Sequence, residues 1–413
     1  MPTPRRIGIA LDYHLLYKHH TDTFAGLKRY ADERQWQTVH DDWIIETLAT
    51  CPRGRPAYDG VVARVSADHI GLVDVTAKAG IPLINVLADS PASDVVPGVF
   101  PDFEQAGRLR AEHLVSRGFH RLAFMATMNS QGYQLQAAGF TAVAAAEGCP
   151  VTLMDMSSTW GDTLPLYRKN LARLRAWMDE WELPIGVAVG NDNFARVIAQ
   201  MVLERGWRVP EDVAIVGGLN EEKLCVASRP TLSSLEPGYE RVGYAAGRLL
   251  ESLMDEADAA RAKKRRATLG RGTGSPRAGP IRIVVPPIGV VARESTDFYA
   301  ADDKMVAAAH DFIAKQCHTR IGVGDVAAKL CVSVRTLQER FTDVLRRTVA
   351  EEIRRVRLEK AKRELTSSDR SVHEIARRAG FTCNTRMTEL FKRELGVTPL
   401  QYRKQRTIHR VSD

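Results

Sequence analysis

Hydrophobic positions in the first 300 residues or so come in short runs rich in β-branched residues, at 6–11, 60–65, 81–86, 121–125, 185–189 and 213–217. Between them, at 103–117, 131–147, 167–180 and 193–205, apolar residues recur at helical spacing. Strand alternating with helix predicts an α/β fold with parallel sheets, because parallel neighbours need a crossover and a helix supplies it. A stretch of this length is enough for two lobes. A further strand is predicted at 281–285.

The pattern then changes. The last 111 residues carry two helix-turn-helix patterns, 323–330 followed by 334–341, and 371–381 followed by 382–395. In each, a short amphipathic helix with a small Ala at its centre lets a second helix cross closely, and that second helix shows polar side chains outward. Residues 348–365 predict one connecting helix, with Val349, Ile353, Val356, Leu358, Ala361 and Leu365 as its apolar positions. About 18 residues at about 1.5 Å each span about 27 Å. Allowing for the width of the two units, that suits recognition helices one DNA turn apart, about 34 Å. The predicted architecture is therefore a two-lobed α/β domain (1–294), a linker (295–302) and an all-α domain with two helix-turn-helix units (303–413).

Charge follows the same division. Residues 303–413 hold 24 Lys and Arg against 14 Asp and Glu, a net of +10 in a chain whose total is +8, so the preceding residues sum to −2. Basicity confined to one end implies phosphate contact by that end alone.

The C-terminal part resembles the AraC-type DNA-binding domain. The resemblance rests on the spacing of Arg335, Leu337 and Phe341, on Ile375, Ala376, Gly380 and Phe381, and on the tail of Phe391, Lys392, Arg393, Gly396, Val397, Thr398, Pro399, Tyr402 and Arg403. Gly396 suits the end of a recognition helix, and Thr398 with Pro399 reads as a cap and first position of a short closing helix. Base-reading residues must lie outward near the start of each second helix. They are Ser333, Arg335, Thr336, Gln338 and Glu339 in the first unit and Asn384, Thr385, Arg386 and Thr388 in the second. Arg340, Arg346, Arg347, Lys392, Arg393 and Arg403 are phosphate candidates, which position without specifying. Met387 stands where the family usually has an aromatic residue, and Glu389 where a basic one is common.

The first part resembles the periplasmic-binding-protein-like sensor of LacI-type regulators. The residues that carry this are Gly190-Asn191-Asp192, the run from Arg208 to Gly217, the run from Arg229 to Leu235, the run from Gly243 to Leu250, and Pro286 to Val291 with Arg293 to Asp297. A sensor of this kind followed by an AraC-type domain resembles the XylR-like regulators. The resemblance implies a small polar effector, a sugar of pentose type, held between the lobes by Asp12, Arg64, Asp89, Asp102, Gln136, Asn191, Asp192 and Asn220. Sugars suit such groups, because each hydroxyl both donates and accepts. Members commonly carry Arg where Gln136 stands and Asp where Leu219 stands, which argues against xylose itself and leaves open a sugar of different polarity or another small polar metabolite. The resemblance also implies double-stranded DNA as partner, a homodimer, and RNA polymerase if the chain activates; activation and repression are both open, as is a degenerate, ligand-independent sensor.

The remaining features change little. Residues 261–280 hold seven basic and no acidic residues with four Gly and two Pro, reading as an inserted solvated loop. His14, His19 and His20 have no partners at metal-ligand spacing, so neither a metal nor another cofactor is expected. The six Cys include no C-x-x-C pair and read as reduced cytoplasmic thiols. No signal peptide or spanning segment is legible, so no membrane role is expected. Neither a Gly-x-Ser-x-Gly elbow nor a phosphate loop occurs, so no catalytic residue is assigned and an enzyme is not expected. A solute-binding transport protein would share the sensor fold but has no use for a basic DNA-reading tail.

Overall fold

The computed structural model describes residues 4–11, 17–52, 56–156, 163–266, 280–297, 303–345, 347–368 and 370–406. The chain begins in a first lobe: β1 (Arg6–Ala10), α1 (Lys18–Glu33), β2 (Gln37–His40), α2 (Ile44–Thr50), β3 (Gly60–Ala63), α3 (Gly71–Ala79), β4 (Leu83–Asn85) and β5 (Gly98–Pro101). It crosses into a second lobe of α4 (Phe103–Val115), β6 (Leu122–Ala126), α5 (Gln131–Ala146), β7 (Val151–Asp155), α6 (Leu164–Asp179), β8 (Ile185–Val189), α7 (Asp192–Glu204), β9 (Val213–Gly217), α8 (Glu222–Ala227) and β10 (Ser233–Glu236). It returns to the first lobe for α9 (Tyr239–Arg266) and β11 (Arg282–Val285), then to the second for β12 (Gly289–Val291) and a 3-10 turn (Glu294–Thr296). Three crossings thus join the lobes.

Each lobe is a six-stranded sheet, ordered β11-β5-β4-β3-β1-β2 in the first and β12-β10-β9-β8-β6-β7 in the second. All pairings are parallel except β10 with β12. The buried strands β1, β3, β4, β6, β8 and β9 were legible in the sequence, because a strand covered on both faces reads as a continuous hydrophobic run, and the β-branched edge strand β11 was legible as well. The edge strands β2 and β7, with mixed burial, give no such signal.

Two expected boundaries differ. Ser295 and Thr296, assigned to the linker, are fully buried in the second lobe, where Ser295 Oγ donates to the Ile215 carbonyl at 2.7 Å. The lobe therefore extends through the 3-10 turn. The segment expected as a loop from 261 begins instead as the last turns of α9, and the Arg261 guanidinium donates to the Gly80 carbonyl at 2.6 Å. Its remainder, 267–279, lies outside the described residues.

The C-terminal domain contains α10 (Lys304–Gln316), α11 (Val323–Lys329), α12 (Val334–Leu345), α13 (Val349–Ser367), α14 (Val372–Arg378), α15 (Asn384–Leu395) and α16 (Pro399–Arg406). Thr348 and Glu351 form a reciprocal cap at the start of α13. From there α13 supplies Val349, Ile353 and Val356 to one core and Leu358, Ala361 and Leu365 to a second, so one helix joins both units. Gly380 has φ +86°, and a Cβ there would lie 1.8 Å from the Cys317 carbonyl, so the second unit can close onto α10 only with glycine. Met387 is fully buried in the second core, doing the packing work of the aromatic residue it replaces.

Candidate effector cleft and DNA interface

The candidate ligand residues fall at the carboxyl ends of strands, where open α/β sheets hold ligands. Arg64 follows β3, Asp89 follows β4, Asp102 follows β5, Asn191 and Asp192 follow β8, Asn220 follows β9, and Gln136 lies on the helix after β6. Asp12 lies outside the described residues.

Their surroundings divide them. Asp192 is fully buried, and its carboxylate accepts from Gly218 N (3.1 Å), Glu221 N (2.6 Å) and Ser234 Oγ (2.5 Å). That network shapes the 218–221 loop from behind. Asp102 caps α4, accepting from Gln105 N at 2.8 Å. Asn191 caps α7 through Phe194 N at 2.9 Å and bonds the Tyr133 hydroxyl. Asp89 spans the lobes: its carboxylate accepts from Ser130 Oγ at 2.7 Å and Gln131 N at 2.6 Å, at the start of α5. Asn220, in a left-handed conformation (φ 47°), donates to Glu236 at 3.0 Å and accepts from Arg293 at 2.7 Å. Arg64 meets the ring of buried His20.

Several cleft residues escaped the sequence reading. Lys18, at the first turn of α1, donates to Glu236 (2.5 Å) and to the Leu219 carbonyl (3.0 Å) of the second lobe. Burial opposes its charge, but Glu236 and Asp22 outweigh that and raise its pKa. His19 stacks on Tyr17 (5.5 Å) and meets His20 edge-on (4.1 Å) and Tyr239 at 5.5 Å. Burial, with His20 and Arg64 nearby, lowers its pKa to about 3, so it is a neutral ring at physiological pH. Tyr239 and Tyr133 come from opposite lobes, and burial raises both phenols. An aromatic wall with hydrogen-bonding tips is a surface for a small polar ring. The only sequence signal was position, since Lys18 and Tyr239 open helices that follow a strand end.

The two recognition helices are α12 and α15 of the C-terminal domain. Arg335 projects with 88% of its side chain exposed and pairs with Glu339 on its own helix at 2.8 Å, while Leu337 and Phe341 are fully buried. Thr336 is exposed and Gln338 half-buried; Ser333 caps α12, its Oγ accepting from Thr336 N at 3.0 Å. In the second unit Asn384, Thr385 and Arg386 are exposed, Thr388 is half-buried, and Lys392 and Arg393 are exposed further along α15. Arg340 is bound to Asp303, the cap of α10, at 2.7 Å, and so also fastens α12 to α10. A cavity of about 340 Å³ between α13 and α15 brings Arg354, Arg357, Arg386 and Arg393 together beside Glu389. Arg354 and Arg357 were not foreseen, because α13 reads only as a connector.

One helix joins the regions. α4 starts at the cap Asp102 and ends near His113 and Arg117, which bond Thr296 of the same lobe, and Ser116, which meets the C-terminal domain. Arg347 donates to the Ser116 carbonyl at 2.6 Å and to Glu352 at 3.1 Å. Fully buried Glu352 also binds His310 (3.2 Å) and Arg355 (2.5 Å). Burial would raise its pKa, yet Arg355 and His310 hold it well below the usual carboxylate range. Arg117 lies against Thr296, and burial together with Arg355 lowers its pKa to about 10.

A two-lobed cleft built onto a pair of helix-turn-helix units defines a DNA-binding transcription regulator governed by a sensor domain. Comparison with known proteins agrees along the chain. The periplasmic binding protein-like domain family matches residues 111–296 and the helix-turn-helix domain family matches 326–405. The xylose operon regulatory protein of Haemophilus influenzae is 25% identical over 411 residues, 97% of this chain and 99% of its own. That of Escherichia coli K12 is 30% identical over 232 residues, 56% of this chain and 54% of its own. The solved structure of the xylose-binding transcription activator xylR shares the fold with a TM-score of 0.56 at 24% identity, covering 98% of this chain and 99% of that one. The chain therefore joins a periplasmic binding protein-like domain to a C-terminal helix-turn-helix domain, and along 97% of its length it is similar to a xylose operon regulatory protein. Among the described residues, no helix is long and apolar enough to cross a membrane.

Proposed function

We propose that this chain is a cytoplasmic, homodimeric transcription activator whose effector is a pentose-like sugar bound between the sensor lobes. The carrying observation is the cleft lining. Neutral aromatic rings (His19, Tyr133, Tyr239) stand beside the Asn191 amide and the donors of Gln136 and Arg64, a combination suited to a polyhydroxylated ring whose hydroxyls accept as well as donate. Relatives that carry xylose in their names support a pentose, and the activator named in the solved neighbour supports recruitment of RNA polymerase. Arg335, Gln338, Asn384 and Arg386 read bases, while Arg354, Lys392 and Arg393 contact phosphate. Asp192 and Asp102 act on the effector only through the backbone they hold.

Coupling runs through α4. Effector contacts draw the lobes together, α4 moves with the second lobe, and its end carries the DNA-binding domain through Ser116, Arg117 and Glu352. The test is a thermal-shift screen of the full chain against pentoses, hexoses and sugar acids, because a ligand that binds the native state raises the melting temperature by mass action. A pentose giving the largest shift is the expected result; no shift with any sugar would contradict the reading.

A further inference from the structure

Arg110 lies in α4 with no exposure to solvent, beneath the carboxyl end of β8 and over the Phe124 ring at 5.1 Å. Its hydrogen-bond acceptors are the Ala106 carbonyl (3.3 Å), the Val189 carbonyl (3.0 Å) and Gln136 Oε1, and it makes no ion pair among the described residues. A buried charge without a countercharge is costly, and burial accordingly lowers the pKa of this guanidinium to about 10. Packing alone does not call for arginine here, since a neutral side chain of similar length would fill the space. What arginine adds is its effect on Gln136.

A guanidinium has donors and no acceptor, so only the oxygen of a carboxamide can face it. The usual ambiguity of amide orientation is thereby removed. Gln136 Oε1 is fixed inward and Nε2 points away from Arg110, with no acceptor among the described residues. Among the described residues, the enclosed side-chain atoms without a partner include Arg117 Nε, Thr152 Oγ1, Trp177 Nε1 and Trp181 Nε1. Gln136 Nε2 is not among them, so it keeps contact with solvent although the residue is 7% exposed. The helices holding the pair cannot slide. A Cβ on Gly107 would sit 1.9 Å from the Gln136 carbonyl, and one on Gly139 would sit 2.1 Å from the Glu104 carbonyl. Tyr133 and buried Asp192 act on Arg110 only through charge, at a distance, and favour its protonated form.

We infer that Arg110 is a positioning residue for effector recognition: it holds the Gln136 carboxamide so that Nε2 is offered to the cleft as a donor, selecting an effector with an acceptor oxygen at that point. The inference rests on the sugar-sensing reading and assigns the polarity of one of its contacts. Arg110 touches no effector itself.

Two variants of the full chain test it, with D-xylose, D-ribose and L-arabinose titrated calorimetrically. Gln136→Glu keeps an oxygen on Arg110 and supplies the missing countercharge, but turns the outward donor into an acceptor. The sugar-free melting temperature should hold or rise, while affinity for whichever sugar the unaltered protein binds falls at least about tenfold. Arg110→Met removes the uncompensated charge and frees the amide to turn, so the fold should hold while affinity falls about tenfold. A merely structural role would move stability and affinity in the same direction. Unchanged sugar affinity in either folded variant would overturn the positioning role and leave the sugar-sensing reading standing. If the unaltered protein bound none of the three sugars, both would fall.

Discussion

Arg347, in the loop before the connecting helix of the DNA-binding domain, donates to the backbone carbonyl of Ser116 in the sensor at 2.6 Å, across 231 residues of chain. The same guanidinium binds Glu352, whose carboxylate also holds His310 and Arg355. These contacts tie the end of α4 to the base of α13, the helix that joins both helix-turn-helix units.

Arg347→Ala removes a charge-assisted hydrogen bond worth about 1.5–3 kcal/mol from this contact without touching the cleft or the recognition helices. Effector affinity should be unchanged, and the effector's influence on DNA affinity should shrink several-fold, measured by DNA anisotropy titrations with and without saturating sugar. An unaltered influence of effector would place the coupling elsewhere.

Arg335 is exposed at the start of α12 and Gln338 follows on the next turn of the same face. Replacing either by Ala should cost about 1–3 kcal/mol on the preferred site and relax preference at one position. Arg354→Ala should instead weaken binding evenly across sequences and lower the salt slope by about one. Permuted-site binding at two salt concentrations separates these outcomes. An Arg335 variant that loses affinity uniformly would demote that residue to a phosphate contact.

His19 makes stability depend on pH. Its folded pKa of about 3 lies below the unfolded value of about 6.5, so the unfolded chain binds the proton first. Its contribution is complete above about pH 6.5 and falls by at most about 1.4 kcal/mol per unit as the pH drops below that value. The melting temperature should therefore be lower at pH 5.5 than at pH 7.5, and His19→Gln should flatten the dependence. An equal slope in the variant would mean that other groups, such as buried His113, carry it.

Cys383 caps α15, where backbone N–H groups of Arg386 and Thr385 lower the pKa of its exposed thiol. Among the Cys residues, Cys149 and Cys225 are buried with raised pKa. Iodoacetamide should modify Cys383 ahead of these two, and specific DNA should slow that reaction, as mass spectrometry of quenched samples would show. Equal reactivity with and without DNA would turn the start of α15 away from the duplex.

The helices of the DNA-binding domain were legible because periodicity, caps and glycines agreed: Val349, Ile353, Val356, Leu358, Ala361 and Leu365 pack inward, and Gly396 ends α15 with φ 71°. The central sensor strands were legible as unbroken apolar runs. The cleft was only half legible. Sequence position placed Asn191, Asp192 and Asn220 at strand ends but could not show that Asp192 faces inward to Gly218, Glu221 and Ser234. Nor could it pair Lys18 with Glu236, or Arg110 with Gln136, since those contacts depend on how distant segments pack. Ser295 and Thr296 look like linker residues because their burial satisfies hydroxyls rather than apolar groups.

The central claim is that a sugar in the cleft controls DNA binding by the C-terminal domain. Its most direct test is to select a preferred duplex from random DNA with the full chain, then titrate that duplex with and without D-xylose, D-ribose and L-arabinose. The account predicts a site with recognition blocks about 10 base pairs apart, and an affinity that one pentose changes several-fold or more. A tight, sequence-specific complex indifferent to every pentose would contradict it.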